Sequence, residues 1–381
     1  MEVETECALD KGTRGRMVVE FKEFLQMLEK GEFGHLAEQT PDAIRKLSIA
    51  RGFYAADFDT DLGGRGISQM EMSEMRVLAA ESGLDLSRYT LAGPEGPTHV
   101  LNECTPTQRE NWVKPLVKGE VTRCTAMTEH TGGSAFGRSI TEAVWDPSRS
   151  RWHLKGNKHL ISNADSADLA IVMAYARGRE KDGPTNFIVP VASNMGWVVR
   201  PLAGMHEDYH QFDVEIDVHV SDESILGGIG KLGHATAQAL QWLPYGRLTI
   251  AARALGLAKF AQETAIEYAR NRKLVHGAIS ENHFIRHMLV ENYCSIESCV
   301  HMVRKAASKL DSGSDGLLET STAKLWATEC ACKIIDNSMQ ILGGNGWLRD
   351  YKLEGAYREA RAFRIIDGTS EVQTEIIYNL L

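Results

Sequence analysis

Arg361-Ala362-Phe363-Arg364-Ile365-Ile366-Asp367-Gly368-Thr369-Ser370-Glu371-Val372-Gln373 sets an apolar pair before one carboxylate and a polar helix start after it. Gly368 permits a sharp bend and close backbone approach. Thr369 or Ser370 is suited to cap a helix running from Glu371 to Leu380. The stretch therefore predicts a carboxylate at a loop-to-helix corner beside backbone N–H groups without helical partners, which can bind an oxyanion or a carbonyl oxygen. A base next to such donors suits removal of a proton alpha to a carbonyl. Read alone, the same residues also describe an ordinary capped helix with a surface Asp, so the decision passes to the flanking chain.

Upstream of this corner the helical period dominates. Pro244 to Lys273 is rich in Ala and Leu and closes on Arg270-Asn271-Arg272-Lys273, cations that suit the C-terminal end of a helix dipole. Glu281–Leu310 and Ser321–Leu342 predict two more long helices, parted by Asp311-Ser312-Gly313-Ser314. Before Gly233 the period falls to two. Strands are expected at Arg123–Thr128, Ile140–Trp145, Arg151–Ser162, Leu169–Ala176, Asn186–Val191, Gly196–Leu202 and Phe212–Val220. Asp213-Val214-Glu215-Ile216-Asp217-Val218 alternates strictly, as a half-exposed strand does. Asp146-Pro147, Asp182-Gly183-Pro184 and Ser193-Asn194 supply turns.

The N-terminal part is helical again. Val18, Val19, Phe21, Phe24, Leu25 and Leu28 recur at helical spacing up to Gly31, and Pro41 opens a second helix. Asp61-Leu62-Gly63-Gly64-Arg65-Gly66 is read as a chain reversal, because neither a strand nor a Lys-Ser/Thr completes a phosphate loop. Met70, Met72 and Met75 follow as core packing. The fold class is α+β: an N-terminal all-α domain (1–121), a middle β-barrel or sandwich domain (122–232), and a C-terminal helical bundle (233–381), expected to hold four helices.

The chain has 381 residues and a net charge of -9, so no basic excess exists to neutralise nucleic-acid phosphates. Its seven Cys residues are scattered, without a CxxC pair, which points to free thiols in a reducing compartment and away from a zinc site or any other metal centre. No run of about 18 apolar residues predicts a membrane span. The acidic start, Met-Glu-Val-Glu-Thr-Glu, reads as neither a secretory signal nor a transit peptide, so the expected location is the cytoplasm.

Four stretches carry a resemblance to the acyl-CoA dehydrogenase family over nearly the whole chain. Cys124-Thr125-Ala126-Met127-Thr128-Glu129-His130-Thr131-Gly132-Gly133-Ser134 resembles its flavin-facing strand and loop. Lys158-His159-Leu160-Ile161-Ser162-Asn163 resembles its second flavin strand. Gln340-Ile341-Leu342-Gly343-Gly344-Asn345-Gly346 resembles the segment that reaches a neighbouring subunit's FAD. Asp367-Gly368-Thr369-Ser370-Glu371 matches the position of the base. The resemblance implies FAD as cofactor, with Met127, Thr128, Ile161 and Ser162 at the flavin. Arg272 would pair with the pyrophosphate, His283 lies nearby, and Gln340, Gly343, Gly344, Thr369 and Glu371 would meet the adenosine half. It implies Asp367 as base and Ser134, Arg247 and Gly368 at the substrate. It also implies a homotetramer, and an electron-transfer flavoprotein or oxygen as electron acceptor. The substrate would be an acyl-CoA or acyl-carrier-protein thioester, losing its alpha proton to Asp367 and its beta hydride to flavin N5.

The departures from the family pattern are as informative. Leu160 stands where the family usually has an aromatic, Val275-His276 where it often has Phe-Gly, and His283 where it has Gln. The loop from His130 to Ala135 lacks the usual Pro and Asp. Asp367 replaces a Glu and is one methylene shorter, a retreat of roughly 1 Å that can cost about 10²-fold in rate unless the site is matched to it. Gly246 occupies the alternative base position of some relatives and has no side chain to act with. Asp at position 367 also permits nitroalkane oxidase-like or flavin monooxygenase chemistry, and a ligand-binding flavoprotein without turnover is the non-enzymatic alternative.

Overall fold

The computed structural model describes residues 15–33, 40–134, 138–179, 181–192, 194–205, 210–275 and 277–381. The expectations placed on the acidic N-terminus, Cys7, Ala135, Ser193 and His276 lie outside them. Helices α1 (Arg16–Glu29), α2 (Pro41–Arg51) and α3 (Gln69–Glu81) open the fold. Phe21, Phe24, Phe53, Met72 and Met75 pack together in their core, as the Met spacing predicts. Ser68 and Glu71 form a reciprocal cap at the start of α3. The glycine-rich segment before α3 is a chain reversal: a Cβ at Gly64 would collide with the Phe58 backbone. Two short helices, α4 (Pro106–Gln108) and α5 (Lys114–Val117), flank a π turn at Arg109–Val113.

Seven strands follow: β1 (Arg123–Ala126), β2 (Glu142–Asp146), β3 (Arg151–Ser162), β4 (Leu169–Arg177), β5 (Gly183–Pro190), β6 (Trp197–Leu202) and β7 (Gln211–Val220). They form one sheet in the order β1-β4-β2-β3-β7-β6, with β5 pairing β4. β4 takes β1 and β2 in parallel along successive halves and β5 antiparallel on its other side, which curls the sheet. Alternation puts Val214, Ile216, Val218 and Val220 into its core and leaves Glu215, Asp217 and His219 outside.

The C-terminal region is helical: α6 (Ala235–Asn271), a two-stranded ribbon of β8 (Lys273–Leu274) and β9 (Gly277–Ala278), α7 (His283–Asp311), α8 (Leu317–Leu342), α9 (Leu353–Phe363) and α10 (Ser370–Leu380). Helix α6 begins nine residues before Pro244, so the expected start there is corrected. The extra turns bury Ala235, Gln238 and Ala239, and the Gln238 amide joins Asn186 of β5 (2.9 Å) and the Leu226 carbonyl (3.2 Å). That tertiary anchoring outweighs the one backbone hydrogen bond Pro244 forgoes. The ends of α6 and α8 and the start of α7 meet at one end of the bundle, where the Asn345 amide donates to the Tyr268 hydroxyl (2.9 Å).

Candidate active site

The Asp367 corner is built by its sequence neighbours. Thr369 is the N-cap of α10, its hydroxyl accepting the Val372 N–H at 3.3 Å. Asp367 itself has φ 53° and Gly368 φ 92°. Asp is among the few residues that occupy the left-handed region at modest cost, and Gly368 has none. A Cβ on Gly368 would press on the amide of the fully buried Gln373. That amide donates to the carbonyls of Asp367 and Gly368, both at 3.0 Å. Lys324 reaches in from α8 and donates to the Gly368 carbonyl at 2.6 Å. On the outer side, Arg364 and Ser370 both bind Glu329 of α8, at 2.7 and 2.6 Å. The corner is thus clamped to the bundle at three points.

Among the described residues, the Asp367 carboxylate makes no hydrogen bond or ion pair. It faces a cavity of about 910 Å³. Burial pushes its pKa above the ordinary 3.8, against the pull of Lys324, Arg247, Arg253 and Arg123. Lys324 is pushed down to about 8 by its own burial, with Asp367 opposing the shift. Gly246 of α6 lies against the carboxylate: a Cβ there would sit 3.1 Å from Oδ2. The position that family resemblance gives to the alternative base therefore lies against Asp367 in this chain.

Met127, Thr128, Ser134, Ser162, Arg247 and Gly368 all line the same cavity as Asp367. β1 turns Arg123 and Thr125 to the cavity, with Met127 just after it, and buries Cys124 and Ala126 in the sheet. On β3 a bulge between Lys158 and Ile161 breaks the register, and Leu160, at φ 58°, swings into the cavity wall. Ile161 is consequently the exception among the flavin-strand residues: its side chain is buried in the sheet core and does not line the cavity. Arg247 is buried and donates to Ser321 at 3.2 Å.

Arg272, His283, Gln340, Gly343 and Gly344 are not brought to this cavity. All five are exposed, grouped at the bundle end where α6, α7 and α8 meet. Thr369 and Glu371 also lie off the cavity wall, the first spent on the helix cap.

Sequence reading did not single out the pair that braces β3 against the segment after β1. Lys158 is fully buried, and its ammonium donates to Glu129 (2.8 Å), the Met127 carbonyl (3.1 Å) and the Ser139 hydroxyl (3.2 Å). Glu129 also accepts from the N–H groups of Ile140 (2.8 Å) and Thr141 (3.0 Å) and from the Ser139 hydroxyl (2.7 Å). Burial raises the Glu129 carboxyl, but Lys158 and the other donors outweigh it and hold the pKa at about 2.

The lining of the cavity suits the polar edge of a flavin in its chemistry. The hydroxyls of Thr128, Ser134 and Ser162 line it and make no hydrogen bond among the described residues. They remain available to a polar ring edge, and the Thr128 and Ser162 backbone lies beside them.

Comparison with known proteins agrees. Residues 234–381 match the description "Acyl-CoA dehydrogenase, C-terminal domain", and residues 124–214 match "Acyl-CoA dehydrogenase, middle domain". The chain is 32% identical to the 3-(aryl)acrylate reductase of Clostridium sporogenes over 88% of its own length and 89% of the relative's. It is 31% identical to the human mitochondrial short-chain specific acyl-CoA dehydrogenase, covering 86% of this chain and 79% of that one. Among solved structures, the glutaryl-CoA dehydrogenase of Mycobacterium smegmatis in complex with FADH2 superposes with a TM-score of 0.84 at 19% identity, over 99% of this chain and 96% of that one.

Proposed function

The chain belongs to the acyl-CoA dehydrogenase family, and from that premise we propose that it dehydrogenates an acyl thioester between its alpha and beta carbons, with Asp367 as base. It is an FAD-dependent oxidoreductase acting on CH–CH bonds. The observation that carries the residue assignment is the unpaired Asp367 carboxylate, desolvated and facing the cavity that Met127, Thr128 and Ser162 share.

When bound, FAD supplies the acceptor for the beta hydrogen and its electron pair. Thr128 and Ser162 would hold its ring edge. Asp367 takes the alpha proton onto its carboxylate, and desolvation makes that carboxylate a stronger base. Gln373 and Lys324 hold the corner's carbonyls, so its N–H groups keep one direction and can polarise the thioester carbonyl. Arg247 keeps a positive field on the ionised base. The carrier is CoA or an acyl-carrier protein, and electrons leave to an electron-transfer flavoprotein or oxygen. The divisions at 121/122 and 232/233 belong to the same reading, since the sheet runs from Arg123 to Val220. No helix among the described residues is long and apolar enough to cross a membrane. The cytoplasmic location rests on the free thiols of Cys104, Cys124, Cys294, Cys299, Cys330 and Cys332.

The experiment that tests this reading is an anaerobic panel of acyl thioesters scored by bleaching of the flavin. At least one thioester is expected to reduce the flavin without oxygen. A flavin that stays oxidised with every member would remove the dehydrogenase reading, and turnover that requires oxygen and releases peroxide would favour an oxidase.

We also propose that a partner copy covers the bundle end and completes each FAD site, in a tetramer built as a dimer of dimers. Val275 (93% exposed), Phe284 (81%) and Trp347 (80%) are apolar and solvent-facing there. They surround the exposed Arg272, Gln340, Gly343 and Gly344 that family resemblance assigns to the cofactor. Replacing Arg272 with Ala should weaken FAD retention roughly 10- to 100-fold, the worth of a charge-assisted hydrogen bond, while leaving the melting curve of the protein intact. Unchanged FAD affinity, or a flavin-loaded monomer by light scattering, would count against the arrangement.

A further inference from the structure

The cavity is cationic in an acidic protein. Nine basic side chains line it against five acidic ones, although the chain as a whole carries -9. The arginines of the cavity wall differ in how they are compensated. Arg253 of α6 binds Glu359 of α9 at 2.6 Å and lies over the Phe363 ring. Arg247 has Ser321. Arg76 of α3 has no such partner: it is 8% exposed, makes no hydrogen bond or ion pair among the described residues, and its Nη1 is buried unsatisfied. The acid whose field reaches it, Asp57, is already engaged by the Gln69 amide at 3.1 Å and faces His99 at 3.5 Å. The second guanidinium within reach is like-charged Arg253.

A guanidinium does not shed its proton to escape burial, and an unpaired buried charge is costly. Such a group persists where an anion meets it in the working state. A carboxylate matches the planar fork of Arg better than any neutral acceptor. We propose that the acyl group processed here carries a second carboxylate, remote from the thioester, and that Arg76 receives it, with Arg253 beside it on the facing helix. The substrate class is then the monothioester of a dicarboxylic acid. This rests on the dehydrogenase reading and narrows it.

The test pairs CoA thioesters of dicarboxylic and monocarboxylic acids of equal chain length, on the FAD-loaded enzyme and on Arg76→Gln, Arg76→Lys and Arg123→Gln. Arg123 is the control: it is buried, lines the same cavity, and its guanidinium bonds the Thr125 hydroxyl and no other group among the described residues. The unmodified enzyme should favour the carboxylated member by roughly 10- to 100-fold in kcat/KM. Arg76→Gln should collapse that preference, mainly through KM, and Arg76→Lys should restore part of it. Arg76→Gln should also raise the melting temperature, because it removes a charge the free protein leaves uncompensated; a structural arginine would move it down. Equal or better use of the neutral member by the unmodified enzyme would overturn the proposal. So would a preference that survives Arg76→Gln and falls only with Arg123→Gln. Flavin that no thioester of either kind bleaches would instead sink the dehydrogenase reading itself.

Discussion

Asp367→Asn is expected to keep the protein yellow and folded while lowering flavin reduction by an acyl thioester about 10³-fold or more, within the range that a general base contributes. The fold should survive because Asn tolerates the left-handed backbone at position 367 as well as Asp does. Gln373 and Lys324 bind backbone carbonyls of the corner and not its side chain, so the clamp is untouched. An amide nitrogen or oxygen cannot take the alpha proton, so the loss should fall on the bleaching rate and spare ligand affinity. The pH profile gives the sign of the same argument. Burial raises the Asp367 pKa above 3.8, and only the carboxylate is a base, so kcat/KM should fall as pH drops through that raised value. The acid limb should vanish from whatever activity Asp367→Asn retains. An Asn variant that bleaches at the native rate would leave Asp367 as no more than a helix-start residue.

Asp367→Glu separates a matched site from a drifted one. Oδ2 already lies against Gly246, so there is little depth for another methylene on that side. The longer chain must bend away, misplacing its carboxylate by roughly 1 Å, which can cost about 10²-fold. Glu also fits the left-handed backbone less well than Asp. A Glu variant that equals or exceeds the native rate would show a site still shaped for the longer acid.

How far the sequence revealed these features depended on the range of the interactions behind them. Period-two alternation is local, so β3 and β7 were legible almost to the residue, while the cap was narrowed to Thr369 or Ser370 and proved to be Thr369. Pro244 misled the reading of α6 because the anchoring of Gln238 against β5 is tertiary and leaves no local mark. Lys324 and Gln373 were invisible for a related reason. A Lys and a Gln at helical positions look solvated until the Asp367 corner brings its carbonyls to meet them. Ile161 was placed at the flavin by its motif neighbours, but a bulge at Leu160 sends it into the core, and a one-residue shift of register is not written in composition. Arg76 sits in an amphipathic helix where an Arg ordinarily marks the outer face; only the packing of α3 on α6 turns it inward.

The Glu129–Lys158 pair gives the largest expected effect on stability. Both side chains are almost wholly withdrawn from water, at 3% and 0% exposure. Glu129→Gln keeps the shape but leaves the Lys158 ammonium buried without its counter-charge, an arrangement that costs about 3–5 kcal/mol. The loss should appear in chemical denaturation of the FAD-loaded protein. FAD retention should fall with it, because Lys158 also holds the carbonyl of Met127, which we propose lies at the flavin. Lys158→Met should be milder, since Glu129 keeps the N–H groups of Ile140 and Thr141 and the Ser139 hydroxyl. Glu129→Gln with Lys158→Met should recover much of the single-variant loss, as replacing both members of a buried pair often does. The pH dependence follows from the depressed carboxyl. With a folded pKa of about 2 against an ordinary 4.5, the stabilisation from Glu129 is fully present above about pH 4.5 and is lost as pH falls towards 2. Glu129→Gln should flatten that part of the stability curve. An acid limb of unchanged depth in the Gln variant would mean that other carboxylates, and not this brace, set the protein's tolerance of acid.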